Sequence, residues 1–432
     1  CEMIIHVVES GETLYSISTM YNISIQMLIK ANGLSNPYNL AIGQALIIAI
    51  PNVIHTMKEG DTWESIEEEY NTSIMELLRN NPDLSNRYNI YPGETIVISY
   101  ETEKTSTFAI SGYAYPYINK DILKKTLPFL TYLTVFNYQV TGEGDIIDIT
   151  NQEVIQLAKD YGVAPMMFFS TISAKGEGSI SNAFELVNNP ESQERAISNT
   201  LRILEDEGYY GVNIYLQYLS LENRQKVDEF ITRAADIFHS AGYRVILTIS
   251  PRVILEENEL RFEEIDYSSF ARVADGILFL NYEGGITFGA PGTVAPVNIL
   301  REMLDYVTDT VPPEKIFIGL PTTGYDWELP YVPGVTWGNA ITTDAAVQIA
   351  FDEGVPIFFN QEAKAPYFYY EREELHLVWF KDARSFEAIG ALVPEYGLQG
   401  LSIWNIMNFN TQLWFVINLN YNIEKVGDGE FT

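Results

Sequence analysis

Apolar residues recur along this chain in two rhythms. Some fall three or four apart, as Leu14, Ile17 and Tyr21 do, or Val227, Phe230, Ile231, Ala234 and Phe238, or Leu300, Leu304 and Val307. That spacing is one face of a helix. Others form short unbroken runs closed by turn residues, the mark of strands buried on both faces. Beyond a polar linker at 101–106, eight such runs alternate with helical stretches up to about residue 426: 107–111, 132–138, 165–170, 211–216, 244–249, 276–282, 315–320 and 400–404. Eight strands separated by helices predict an α/β domain, a (β/α)8 TIM barrel over 107–426. The long interval between the seventh and eighth strands predicts a small α+β insertion at about 328–380, rich in aromatics such as Tyr367, Phe368, Tyr369 and Tyr370.

The first hundred residues repeat. His6 pairs with His55, Gly11 with Gly60, Thr13 with Thr62, Ile17 with Ile66 and Tyr21 with Tyr70. After one inserted residue Tyr38 pairs with Tyr88 and Gly43 with Gly93. Each unit predicts a short strand, a Gly-acid-Thr turn able to cap a helix, two short helices and a closing strand, a βααβ module. The expected division is 1–51, 52–101 and 107–426. Units this small bury little surface, and a tandem pair suits a binding module multiplied for avidity.

Composition narrows the partners. Of 432 residues 47% are hydrophobic and 19% charged, so order is expected throughout. With 26 Lys and Arg against 58 Asp and Glu, the net charge of −32 repels nucleic-acid phosphates and anionic lipid. A neutral glycan remains compatible, and 28 Tyr and 6 Trp offer flat faces for it. Cys1 is the single cysteine, which excludes an intramolecular disulfide and a multi-cysteine zinc site. The four histidines are scattered, and neither a metal nor a cofactor is implied. No apolar run reaches the roughly 18 residues of a membrane span. The chain begins without Met, and Cys1 leaves three readings open: a lipidated residue exposed by cleavage, an intermolecular staple for self-association, or a cloning scar.

The GETLYSI turn of the first unit, the Asn-to-Gly stretch that follows and the apolar last strand make both repeats resemble LysM domains. That resemblance implies binding of N-acetylglucosamine-containing glycans, peptidoglycan or chitin, through loops 11–15 with 37–42 and 60–64 with 87–92. The candidate residues are Gly11, Glu12, Thr13, Leu14, Asn39 and Ile42, then Gly60, Asp61, Thr62, Trp63, Asn89 and Pro92. Modules that only space or pack onto the rest are the plainer alternative.

Barrel chemistry sits at the C-terminal ends of the strands. Those exits carry Tyr138, Tyr215 with Gln217, Tyr282 with Glu283, Tyr325 with Asp326 and Trp327, and Trp404 with Asn405. Aromatics and amides with few carboxylates suit pyranose rings; each aromatic alone reads first as packed core, and their shared place on strand exits favours a groove. The segments GYYGVNIYLQYL (208–219), LNYEGG (280–285), GAPGTVAP (289–296), IGLPTTGYDW (318–327) and GLQGLSIWNI (397–406) resemble the family 18 glycoside hydrolases, the chitinase family. The likeness is strongest to its LysM-bearing branch that degrades spore-cortex peptidoglycan, and it implies a spore-surface or cell-wall location.

The resemblance implies a D-x-x-D-x-D-x-E signature on the fourth strand, whose Glu protonates the leaving oxygen while the substrate's acetamido group attacks. Here the four positions hold Tyr210, Asn213, Tyr215 and Gln217. A Gln amide cannot release and regain a proton near neutrality, and a tyrosine with pKa near ~10 is a poor carboxylate substitute. Tyr138, Tyr282, Glu283, Tyr325, Asp326, Trp327 and Trp404 are the candidate sugar contacts, with Trp404 as the floor. The leading expectation is a glycan-binding protein with a silent barrel. The alternatives are an active peptidoglycan N-acetylglucosaminidase using an unconventional acid, and a self-assembling surface or fibre subunit.

Overall fold

The computed structural model describes residues 3–87, 90–173, 180–215, 223–251, 253–256, 259–262, 265–280 and 289–426. Each repeat builds the same four elements. Strand Ile4–Val7 pairs antiparallel with Ala45–Ile48, beside helices Leu14–Tyr21 and Ile25–Asn32. Strand Pro51–Thr56 pairs with Thr95–Tyr100, beside Trp63–Tyr70 and Ile74–Asn80. Thr13 and Thr62 N-cap the first helices, and Ser16 and Ser65 complete reciprocal capping boxes.

The repeated histidine and tyrosine share one role. His6 lies 3.1 Å from the Tyr21 hydroxyl and 2.8 Å from Glu12 Oε2; His55 lies 2.9 Å from the Tyr70 hydroxyl and 2.8 Å from Asp61 Oδ2. The same two carboxylates accept the backbone N–H of Glu9 and of Lys58 at 2.7 Å. A Tyr–His–acid chain therefore pins the turn that starts each module's first helix.

The barrel closes on eight parallel strands: Ser106–Ala114, Tyr132–Val140, Ala164–Ser170, Gly211–Tyr215, Arg244–Ile249, Gly276–Phe279, Ile316–Pro321 and Gly400–Trp404. The eighth pairs parallel with the first. Tyr113, Phe136, Phe168, Ile246, Leu278 and Phe317 fill the interior, while the opposite faces pack under the helices. Between strands seven and eight stands a five-stranded antiparallel sheet, in the order Gly338–Ile341, Gly324–Leu329, Leu375–Trp379, Ala365–Glu371, Phe358–Asn360. Helix Thr343–Asp352 seals one of its faces through Ala346 and Ala350 against Phe368 and Val378. Among the described residues no helix is long and apolar enough to cross a membrane.

Both modules dock on the last helix, Thr411–Asn420, which is buried from Gln412 to Leu419. Because it follows strand eight, its N-terminus lies at the barrel mouth and its C-terminus at the base. The first module meets the mouth end. Gln412 Nε2 donates to Asn32 Oδ1 (3.0 Å) and to the carbonyl of Ala45 (2.8 Å), and the Ile357 N–H of the insertion donates to the Ile42 carbonyl (2.8 Å). The second module meets the base: Asn418 Nδ2 donates to Asn80 Oδ1 (2.7 Å), Arg79 to the Pro128 carbonyl (3.1 Å) and the Tyr161 hydroxyl to the Ser85 carbonyl (2.7 Å).

Gly43 and Gly93, equivalent in the repeat, have φ of +84° and +91°. A Cβ on Gly43 would meet the Ile357 carbonyl oxygen at 2.0 Å, whereas one on Gly93 meets nothing within 4 Å. Gly93→Ala is expected to cost only the left-handed strain, about 1–3 kcal/mol, and Gly43→Ala distinctly more, compared by urea unfolding. A second expectation concerns acid. The Glu9 N–H, with His6 beside it, holds Glu12 below its ordinary 4.5, and His55 with the Lys58 N–H holds Asp61 below 3.8. A depressed carboxylate stabilises the fold above its ordinary pKa and loses that contribution as pH falls through the folded value. The double variant Glu12→Gln, Asp61→Asn should therefore show a flatter acid limb of Tm against pH than the parent chain.

Candidate functional site

The fourth strand alternates side chains between lumen and helix layer, which turns Asn213 and Tyr215 inward. Asn213 is buried and closes a neutral triad. Its Nδ2 donates to the Tyr113 hydroxyl (2.7 Å), its Oδ1 accepts from Thr248 Oγ1 (2.7 Å), and the two hydroxyls lie 3.2 Å apart. Burial pushes the Tyr113 phenol up to about 12, so the triad is uncharged at neutral pH. Above it the Tyr215 ring stacks on Phe168, with centroids 6.1 Å apart and 27° between planes, and its hydroxyl is 3.3 Å from Ser250 Oγ.

Trp404, half-buried at the exit of strand eight, is ringed by Tyr113 (5.3 Å), Phe136 (5.4 Å) and Tyr115 (6.4 Å). Tyr115 in turn stacks on the exposed Tyr117 at 5.3 Å and 23°. The mouth is thus an aromatic collar over an uncharged hydrogen-bonded floor, an arrangement able to hold the apolar face and hydroxyls of a pyranose. Among the described residues no group of three or more His, Cys, Asp or Glu could hold a metal ion.

Several expected contacts lie elsewhere. Tyr138 is fully buried away from the mouth, its hydroxyl accepting from Asn151 Nδ2 (2.9 Å) and Tyr209 (3.2 Å). A register irregularity between Val135 and Tyr138 changes the side on which the strand presents it. Tyr325, Asp326 and Trp327 belong to a strand of the insertion rather than to a barrel exit. Trp327 is fully buried against Gly338, and Asp326 is buried on the opposite face, accepting from the Tyr370 hydroxyl (2.6 Å) and lying 3.0 Å from His376 Nδ1. Of the three only Tyr325 stays partly exposed. Tyr210 lies at the base, its ring 6.4 Å from Tyr132 and its hydroxyl 3.5 Å from Arg244 Nε. Gln217, Tyr282, Glu283 and Asn89 lie outside the described residues.

In the modules, Leu14 and Trp63 are core side chains and leave no face for a ligand. Gly11 and Gly60 supply left-handed turns beside Glu12, Asp61, Thr13 and Thr62, and Pro92 is exposed. Asn39 is half-buried, and Ile42, although its side chain is partly open, has its carbonyl committed to Ile357. Sequence reasoning missed Tyr113, Thr248, Tyr115 and Tyr117. The first strand continues through Ala114, beyond the expected residue 111, and period-two counting along that longer strand reaches Tyr113.

With this geometry in place, comparison with known proteins adds kinship. The model for glycosyl hydrolases family 18 matches residues 120–408, and that for the LysM domain matches 6–49 and 55–99. The chain is 30% identical over 431 residues to the cortical fragment-lytic enzyme of Bacillus subtilis (strain 168), covering 98% of this chain and 99% of that one. The crystal structure of the Bacillus cereus spore cortex-lytic enzyme SleL superposes with a TM-score of 0.80 at 28% identity, over 99% of this chain and 100% of that one. SleL of Bacillus megaterium QM B1551 gives 0.80 at 26%, over 98% and 99%.

The triad yields a stability expectation. Asn213→Ala takes one hydrogen-bond partner from each of the buried Tyr113 and Thr248 hydroxyls, which should cost about 1–3 kcal/mol, measured by urea unfolding.

Proposed function

Because the chain belongs to family 18 of the glycosyl hydrolases and carries two LysM domains, we propose that it is a glycan-binding protein of the spore surface or cell wall whose barrel no longer hydrolyses. Its ligand is peptidoglycan or a related N-acetylglucosamine-containing glycan. The observation that carries this reading is the fourth strand, where Tyr210, Asn213, Tyr215 and Gln217 stand at the four positions the family signature gives to carboxylates. Without the Glu, proton delivery to the leaving oxygen is lost, a step worth roughly 10²- to 10⁴-fold in rate. Without the Asp residues, nothing on that strand orients or neutralises an attacking acetamido group. The collar around Trp404 is compatible with retained sugar binding.

A second reading, an active N-acetylglucosaminidase, draws support from the printed names of the relatives, which are lytic enzymes. It requires a substitute acid. Asp326 is poorly suited, because its carboxylate is buried and held by Tyr370 and His376. Glu283 is the remaining candidate.

The experiment incubates the purified chain with N-acetylglucosamine oligomers and with cortex peptidoglycan, follows binding by co-sedimentation, and analyses the soluble products by mass spectrometry. The expected outcome is retention on the polymer with intact oligomers. Turnover at an enzymatic rate overturns the silent-barrel reading, and its loss in Glu283→Gln would then identify the acid.

A further inference from the structure

The two LysM modules occupy different levels of the barrel, and a groove joins the first of them to the mouth. This groove has a volume of 770 Å³, within the ~300–1,000 Å³ typical of ligand sites. At one end are Tyr115, Thr322 and Asn405, which follow barrel strands one, seven and eight. The Thr322 N–H there donates to the Trp404 carbonyl (3.2 Å), so the groove starts at the aromatic collar. Its far end is walled by Asp344 of the insertion helix and by Asn32 of the first module. A shallow surface crevice of about 40 Å³, sharing Asn32 and Asp344, continues along the first module to Asn36 and Asn39, in and beside the loop that the LysM resemblance assigns to glycan, so a strand passing this way lies on the surface over it rather than inside it. The second module, held at the base through Asn418, Pro128 and Tyr161, lies at the other end of the last helix.

We propose that a single N-acetylglucosamine-containing glycan strand runs from the barrel mouth through this groove onto the first LysM module. The inference rests on the glycan-binding reading given above and deepens it. The lining chemistry fits the occupant. Tyr117 is 76% exposed and stacked on Tyr115, offering a ring to a sugar face. Asn408 is exposed on the groove wall, an amide able to meet hydroxyl and acetamido groups. The docking is fixed rather than tethered: the first module is bonded to Gln412 and Ile357, so a strand crossing the groove meets its loop without loop-closure cost.

The test uses the full chain, titrated calorimetrically with β-1,4-linked N-acetylglucosamine oligomers from dimer to octamer and fitted to two classes of site. Tyr117→Ala and Asn408→Trp, the first removing a stacking face and the second filling the groove, are compared with the parent after circular dichroism shows both folded. The expected result is affinity that rises with oligomer length in the tighter class. In either variant the octamer should lose about tenfold, the weight of one stacked aromatic, while the dimer is unchanged. Octamer affinity unchanged in both variants, or octamer and dimer weakened alike, overturns the shared strand while leaving the glycan-binding reading intact. A parent chain that binds no oligomer and no peptidoglycan overturns both.

Discussion

The helix Thr411–Asn420 is buried around its whole circumference: its eight central residues, Gln412 to Leu419, are all buried. A helix on the outside of a barrel can hide only one face against the strands, so this one demands cover on its outer side as well. The two modules supply that cover. The demand is polar as well as apolar, because Gln412 and Asn418 are buried amides that need partners. Their amide NH2 groups donate to Asn32, Ala45 and Asn80 of the repeats. The repeats are therefore structural parts of the barrel's outer layer and not beads on a tether. Their orientation relative to the mouth follows from the register of one helix.

Inside the barrel the governing constraint is charge. An ionised carboxylate in so enclosed a lumen requires strong donors or a partner cation to offset its lost hydration. The triad of Tyr113, Asn213 and Thr248 satisfies its members with neutral groups alone, and Tyr113 keeps its proton through the accessible pH range. On the proposed reading, the loss of the acids left a quieter and better satisfied floor. The collar of Trp404, Phe136 and Tyr115 is held by ring contacts that ask nothing of a nearby charge.

Most of the architecture is legible in the sequence, for a physical reason. Strands buried on both faces cannot hide their composition, and eight apolar runs translate directly into eight barrel strands. The βααβ repeats announced themselves through their matched His, Gly, Thr and Tyr, residues that turned out to pin and cap a turn. The site was less legible. Tyr138 is carried away from the mouth by a register irregularity that alternation cannot see. Asp326 and Trp327 lie in a strand of the insertion that starts at Gly324, so residues counted as a barrel exit answer to a different sheet. Leu14 and Trp63 open helices directly after turns that look ligand-facing in one dimension, yet both side chains are drawn into the small cores of their modules. Tyr113 and Thr248 carried no motif and emerged only through their shared partner, Asn213.

The pairing of Gly43 with Gly93 has an evolutionary corollary. Two copies of one module began as equals, but only the first now presses its turn against a neighbouring carbonyl, and only the second keeps that turn open to water. Once one copy is moulded to its berth, the two can no longer trade places. Descendants of such a duplication are free to drift at the open turn and held fast at the docked one, so ancestry that made the repeats alike and architecture that makes them unlike should be readable at a single pair of glycines.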